Sequence, residues 1–438
     1  MNTHKVLSQY HGTKEYPAIA SAAAKLLTTH PDMAEDDLLA WAERMYPRAS
    51  VLHMRENAAP LTVFGEDLIE TGAFQQMYQV LRLPVAVRGS LMPDAHQGYA
   101  MPIGGVAVLH DAVSPSFVGY DISCMMYMTI YNITHESLLQ NRDELANALR
   151  GVTSFGKGAA TPAGQGHIDH AVMEDPRWES TKILKQLKPL AQRQVGSSGG
   201  GNHFADLMEV TWRDGRQETA LLTHSGSRGA GHKLATHYVE VAKRETARIA
   251  KGIPAGYEWL DIRSEAGLEY MEAMQLMGRY ALANHEAIHA SFAEAIGVNV
   301  EYALWNRHNY AWQENDGVVH RKGATPAGKG QQGIIPGSSG TPSYVVRGKG
   351  NAASINSSSH GAGRPFSRTE AKRRHDEAFV QQWMADADVQ AIGLSPDETF
   401  MAYKDIDAVM DAQADLVEVT ATLVPRVVIM GGQSDDGD

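Results

Sequence analysis

Two hydrophobic rhythms divide this chain. The helical one comes first. An Ala-rich run from Pro17 to Leu27 and a segment from Asp32 to Tyr46, with Leu38, Leu39, Trp41 and Met45 on one face, predict two helices. Glu35, Asp36 and Asp37 fall in the first turns of the second helix, where negative charge suits the dipole. Residues 1–60 therefore read as a helical N-terminal extension that carries no evident chemistry. Gly65 to Leu81 predicts a further amphipathic helix, closed by Leu83-Pro84.

Beyond Pro84 the apolar runs shorten and glycines crowd between them. Met92 to Tyr99 reads as a turn-rich loop, with strands predicted at Ile103–Leu109 and Met126–Tyr131. Asn141–Leu149 and Thr181–Leu190 carry helical spacing, and Gly151 to Gly166 between them reads as a loop. Gly196 to Phe204 opens a strand running through Val210, with a hairpin partner at Thr219–Thr223 that ends at His224. Two long helices follow, at Gly231–Lys251 and Glu265–Ile296, the second with Met271, Met274, Met277 and Leu282 as core. From Val300 the strand rhythm returns, before a last helix from Ser367 to about Met384. The pattern predicts a mixed α/β fold: one large catalytic domain over residues 61–438, its central β-sheets flanked by helices.

Composition adds limits. At 438 residues and 43% hydrophobic, the chain is long enough for a large core. No apolar run reaches the roughly 18 residues of a membrane span and no secretory leader is visible, so a cytoplasmic protein without a membrane partner is expected. The single cysteine cannot form an intrachain disulfide. A net charge of -12 argues against nucleic-acid binding by the surface as a whole. One stretch runs the other way: from His320 to Arg374 there are ten Lys and Arg residues and one acid, Glu370, which points to phosphate binding or to a solvated face.

Three motifs compete for the chemistry. Gly151–Gly158 and Gly323–Gly330 both spell G-x-x-x-x-G-K-G, but glycine stands where the magnesium-binding Ser or Thr of a P-loop belongs. His285-Glu286-Ala287-Ile288-His289 matches H-E-x-x-H, a zinc-protease pattern, yet no third ligand is evident beyond Glu294 or Glu301, and a polar helix face is the simpler account. The third is dispersed. Asp121 and Cys124 lie three apart; alone, a solitary cysteine is more often a buried thiol than a ligand. His203, His224 and His308 each fall at the end of a predicted strand beside small or polar residues, and with Asp121 and Cys124 they make an O, S and N ligand set. A bridging thiolate would serve two ions, and paired metals suit phosphoryl transfer. His360-Gly361-Ala362-Gly363-Arg364 sets an imidazole and a guanidinium among glycines that admit a phosphate, with Lys322 and Arg228 as further cations. Neutral imidazole is a competent nucleophile toward phosphorus.

These motifs occur in a fixed order with others: Pro93-Asp94-Ala95-His96-Gln97-Gly98-Tyr99, Val118 to Cys124, Gly201-Asn202-His203-Phe204, His224 to Gly229, His308-Asn309-Tyr310-Ala311, His320 to Ala324 and Pro336-Gly337-Ser338. The ordered set, over roughly residues 60–432, resembles the RtcB family of RNA-splicing ligases. The resemblance implies a GTP- and manganese-dependent ligase that joins RNA 3'-phosphate or 2',3'-cyclic phosphate ends to 5'-hydroxyl ends, in RNA repair or tRNA splicing. It makes His360 the guanylylated residue, and Asp121, Cys124, His203, His224 and His308 the ligands of two manganese ions bridged by Cys124. Arg228, Lys322 and Arg364 match its catalytic phosphate contacts, and Asn202, Asp206, Ser338, Gly361 and Gly363 its nucleotide contacts.

The chain also departs from the family. Met430 stands where the family commonly has a lysine contacting guanine, Asp206 where it has a glutamate, and Ser123 and Met125 where glycines flank the metal cysteine. The alternative that Met430 favours is a metal-dependent RNA end-binding protein or cyclic phosphodiesterase without guanylylation.

Overall fold

Two units, each with its own core, emerge: residues 1–52 with 249–251, and residues 53–248 with 252–438. The computed structural model describes residues 3–11, 16–46, 51–156, 158–162, 168–366, 370–371, 373 and 377–431. In the smaller unit, helices α1 (Tyr16–Thr29) and α2 (Glu35–Met45) bury Ile19, Ala23, Leu38 and Ala42 with Leu7 and Tyr10. Met45, expected on the apolar face, is exposed, because Leu38 and Ala42, four apart, set the buried line.

In the larger unit the chain runs through β1 (Leu61–Val63), α3 (Thr71–Leu81), β2 (Ala86–His96), β3 (Ile103–Leu109), β4 (Met125–Tyr131), α4 (Arg142–Val152) and α5 (Lys182–Gln194). The hairpin β5 (Phe204–Trp212) and β6 (Gln217–Ser225) comes next, then helices α6 (Arg228–Ile249) and α7 (Glu265–Ile296). After them come β7 (Val300–Arg307), β8 (Asn309–Glu314), β9 (Gly317–Lys322), β10 (Ala324–Pro326), β11 (Gln332–Ile335), β12 (Ser343–Gly348), β13 (Ser357–Ser359), α8 (Glu377–Asp386), β14 (Gln390–Ile392) and β15 (Val417–Met430). Helix α7 matches its sequence expectation at both ends. The Ser264 hydroxyl accepts from Gly267 N at the start, and Gly297 ends the helix with φ 69°.

The larger sheet has the order β7-β4-β6-β5-β15-β12-β11, antiparallel throughout, with β14 added in parallel to β15. Its two outer strands meet. The Asn306 carboxamide on β7 donates to Ile334 O at 3.2 Å and accepts from Ile334 N at 2.7 Å on β11. The side-chain period of two divides the sheet's faces. Met126, Met128 and Ile130 of β4 enter a core with Met208, Val210, Ala220, Leu222, Leu304, Ile334, Val345, Ala421 and Leu423. On the other face Thr129 and Tyr131 reach His289 of α7, while Leu207, Leu221, Val427 and Ile429 pack against α4 and Phe292. A second sheet, β8-β9-β3-β2-β1, stands beside the His360 loop through Asp94.

Four sequence expectations change. The helix expected over Gly65–Leu81 is a short turn at Glu66–Leu68 followed by α3. Met92–His96, expected as loop, belongs to β2; Pro93 is tolerated because the β2–β3 ladder is interrupted between Leu91 and His96. The strand expected to end at His224 begins earlier and continues through Ser225, spanning Gln217–Ser225. The helix predicted from Ser367 falls partly outside the described residues, and its described part is α8.

Candidate active site

The metal-ligand candidates gather at one end of the larger sheet's inner face. Ala220, Leu222 and His224 share one side of β6, and Met126 pairs with His224 across β4, so the alternation that fills the core with methionine and leucine ends in an imidazole. Cys124, two residues before Met126, lies 3.1 Å from His224 Nε2 and 3.6 Å from His203 Nε2 through its sulfur. His203 Nε2 stands 3.0 Å from Asp121 Oδ2, and His224 Nε2 stands 3.2 Å from His308 Nε2. Two ligand sets result: Asp121, Cys124 and His203; and Cys124, His224 and His308. Cys124 is common to both.

Local conformation holds these groups. Ser123 turns the chain before β4 with φ 60°, a left-handed value that disfavours a side chain, and its hydroxyl is buried without a hydrogen-bond partner among the described residues. Asn309 O accepts from Ser123 N at 2.7 Å, so β8 pins this turn and the neighbouring His308 together. Gly226 must be glycine for a different reason: a Cβ there would lie 2.1 Å from Asp121 Oδ1. Ser227 N donates to the same oxygen at 3.2 Å.

The site's electrostatics favour a cation. Burial alone would raise the Asp121 carboxyl, but the hydrogen bond and charge of His203, with Cys124 and Arg228 behind them, bring it down to about 2. Burial and the adjacent Asp121 push the Cys124 thiol well up. Burial lowers His224 to about 3 and His308 well below its ordinary value, leaving both imidazoles neutral, the form that binds metal. His224 Nδ1–H donates to Asn202 O at 3.0 Å, which directs its Nε2 lone pair into the cluster. That nitrogen faces a second imidazole nitrogen and a sulfur. One soft thiolate, a carboxylate and three imidazoles fit divalent transition ions.

His360 adjoins the cluster, its ring centroid 4.9 Å from that of His308. Asp94 holds it: Oδ2 accepts from His360 Nδ1 at 2.7 Å and from His360 N at 3.1 Å. Burial would raise the Asp94 carboxyl, yet the hydrogen bond and charge of His360 keep it below its usual range. An ionised Asp94 fixes the proton on Nδ1 and leaves the Nε2 lone pair unprotonated. In the sequence Asp94 stands out only as the acid between Pro93 and Ala95, with nothing to tie it to His360.

The cations behave differently from one another. Arg228 opens α6 with φ 55° and sets Nη1 3.4 Å from His203 Nδ1. Burial lowers Lys322 to about 7; its Nζ donates to Tyr99 O, and to Ser116 O at 3.4 Å. Arg364 is committed elsewhere, donating to Glu398 Oε1 at 2.6 Å, Asp397 O at 2.8 Å and the Tyr403 hydroxyl at 2.9 Å. Glu398 and Tyr403 carried no sequence signal. Among its described residues the basic stretch is divided between buried and exposed cations. Arg321 is buried against Glu314 and Ser357, and Lys349 binds Ala414 O, while Arg368, Lys372 and Arg374 lie outside the described residues.

Of the nucleotide-contact candidates, Gly361 and Gly363 flank the His360 loop, with Gly361 N 3.4 Å from Asp94 Oδ2. Ser338 binds Thr341 in the turn between β11 and β12. Asp206 shares the His224 face of the sheet, opposite Val428; burial raises its carboxyl well above the usual range, and Ile429 N donates to it at 3.3 Å. Met430 is buried with Val380, Met384, Val389 and Val428.

The competing motifs resolve structurally. Neither G-x-x-x-x-G-K-G run joins a strand to a helix: the first begins in the last two residues of α4, and the second contains β10. In H-E-x-x-H every ring nitrogen is occupied. Ser225 O accepts from His285 Nε2–H at 3.2 Å, so His285 Nδ1 must accept, and the Thr223 hydroxyl donates to it at 2.6 Å. Thr223 Oγ1 in turn accepts from His289 Nε2–H at 2.8 Å, and Thr129 donates to His289 Nδ1 at 2.6 Å. Asn284 adds bonds to Gly196 N at 2.8 Å, Ser197 N at 3.1 Å and Ser197 O at 3.0 Å. This face of α7 therefore ties down both β6 and the loop leading to His203.

A family model described as tRNA-splicing ligase RtcB matches residues 76–431. The chain belongs to the RtcB family of RNA-splicing ligases. An RNA-splicing ligase RtcB of Escherichia coli K12 is 31% identical over 413 residues, covering 85% of this chain and 98% of the relative. One from Mycobacterium tuberculosis is 31% identical over 431 residues, covering 81% and 100%. A tRNA-splicing ligase RtcB of Methanococcus maripaludis is 29% identical over 457 residues, covering 85% and 95%. The RtcB match spans the metal-ligand candidates and His360.

Proposed function

We propose that this chain is an RNA ligase that uses GTP and divalent manganese to join a 3'-phosphate or 2',3'-cyclic phosphate end to a 5'-hydroxyl end. The observation that carries the reading is the Asp94–His360 pair beside two ligand sets that share Cys124. Asp121, Cys124, His203, His224 and His308 would hold the ions, which when bound would supply positive charge to phosphoryl oxygens. Family membership supports manganese and GTP as the partners.

In this reading the residues act in three steps. His360 Nε2 attacks the α-phosphorus of GTP; a P–N bond forms, the bond to the β-phosphate oxygen breaks and pyrophosphate leaves. A 3'-phosphate oxygen of the RNA then takes the GMP, breaking the P–N bond and restoring His360. Finally the 5'-hydroxyl attacks the 3'-phosphate phosphorus, forming the phosphodiester and releasing GMP with the hydroxyl proton passing to solvent or a neighbouring base. A 2',3'-cyclic end needs prior opening by water. Asp94 keeps the His360 proton on Nδ1 throughout, while Arg228 and Lys322 supply charge near the phosphates.

A second reading, RNA end binding or cyclic-phosphate hydrolysis without guanylylation, is favoured by the buried apolar setting of Met430. One experiment separates them. Incubated with α-labelled GTP and manganese, the wild type is expected to retain label on protein and His360→Ala to retain none; equal labelling of the two would sink the ligase reading.

A further inference from the structure

Three aromatic rings, Tyr99, Tyr120 and His232, lie in a row beside the metal-ligand candidates, and the chemistry at His360 does not use them. Tyr99 is 58% exposed, among the most exposed large hydrophobic residues described. Its backbone is nonetheless fixed. Lys322 Nζ binds Tyr99 O, and the next carbonyl, Ala100 O, accepts from the Tyr257 hydroxyl at 3.0 Å. The Tyr99 ring meets Tyr120 edge to face, with centroids 6.2 Å apart at 84°, and Tyr120 stacks on His232 at 5.3 Å and 29°. Tyr120 directly precedes Asp121, and His232 lies one turn along α6 from Arg228, which approaches His203.

A ring in solvent on an immobilised backbone is what a nucleobase needs for stacking, because little ordering remains to oppose the contact. The protein as a whole carries a net charge of -12, so backbone phosphates gain no general attraction and a sequence-tolerant aromatic contact gains importance. We propose that Tyr99, backed by Tyr120 and His232, is a stacking platform for an unpaired base at the RNA end, delivering that nucleotide's phosphate or sugar to the metal site. This rests on the ligase reading of the same site.

The test uses the full-length, manganese-loaded protein and a 3'-phosphate RNA whose terminal base is 2-aminopurine, without GTP so that no joining occurs. Stacking quenches 2-aminopurine fluorescence. The wild type is expected to quench it and to bind this RNA roughly ten- to a hundredfold tighter than the same RNA abasic at that position. Tyr99→Ala is expected to lose the quenching and the preference, and Tyr99→Phe to keep both. Equal wild-type affinity for the two RNAs overturns the platform, and this comparison needs no variant to fold. Tyr99→Ala that weakens both RNAs equally, or neither, overturns it as well. Failure of the function appears elsewhere: quenching without sealing once GTP is added sinks the ligase reading alone, whereas absence of wild-type RNA binding sinks both.

Discussion

One sulfur shared between two ligand sets sets a test at the level of a single atom. Cys124→Ala is expected to lower the bound manganese by two equivalents, whereas His308→Ala, which belongs to one set, lowers it by one. Equal losses in an elemental analysis after dialysis would argue against a bridge. Its neighbour Ser123 holds a left-handed φ of 60° with a buried, unpartnered hydroxyl. Ser123→Gly is therefore expected to stabilise the protein by about 1 kcal/mol, the relieved strain exceeding glycine's entropy cost. A thermal melt shows the sign, and a lower melting temperature contradicts it. At this scale the candidate ligand residues are legible in the sequence and their supports are not. Asp121, Cys124, His203, His224 and His308 were visible as motifs, but the ties of Arg364 to Glu398 and of His360 to Asp94 span 34 and 266 residues of chain.

Helix α7 links the elements beneath the site. Its His285 and His289 grip Thr223, which lies between Leu222 and His224 on β6, from the face opposite the ligands. Thr223→Val leaves one acceptor and one donor buried without partners. The expected cost is about 1–3 kcal/mol for each, together with weaker manganese binding through a displaced His224. Thr223→Ser restores the hydroxyl and is expected to recover both. A denaturant melt paired with a manganese titration checks this, and stability loss without any change in metal affinity would confine Thr223 to a packing role. Strong periodicity made α7 legible to the residue, and Ser264 and Gly297 marked its ends. The long strand β15 was not read as a strand, since Pro425 interrupts its pattern and its register shifts between Pro425 and Val427. Likewise β2 was hidden by Pro93, and the role of H-E-x-x-H was ambiguous until its hydrogen-bond partners were seen.

Across the whole molecule, burial of neutral histidines sets the response to acid. Desolvation lowers His285 to about 3 and His96 and His320 to about 4, all below the ordinary value of 6.5. Their contribution is complete above pH 6.5 and is lost as pH falls toward 4, because the unfolded chain takes up the protons first. Each costs about 1.4 kcal/mol per pH unit in that window. Metal-free protein is expected to show a midpoint in denaturant that drops steeply between pH 6.5 and 4; a flat profile there would count against neutral burial. No described helix is long and apolar enough to cross a membrane.

Asn306 has a consequence for how this molecule meets its neighbours. A sheet with two free outer strands is a template on which another chain can lengthen the ladder. Here one carboxamide supplies the donor and the acceptor that Ile334 would otherwise offer to a stranger, and Tyr302 bonds Gln332 alongside it. By joining its first strand to its last, the sheet that carries the ligands protects itself from strand-by-strand aggregation.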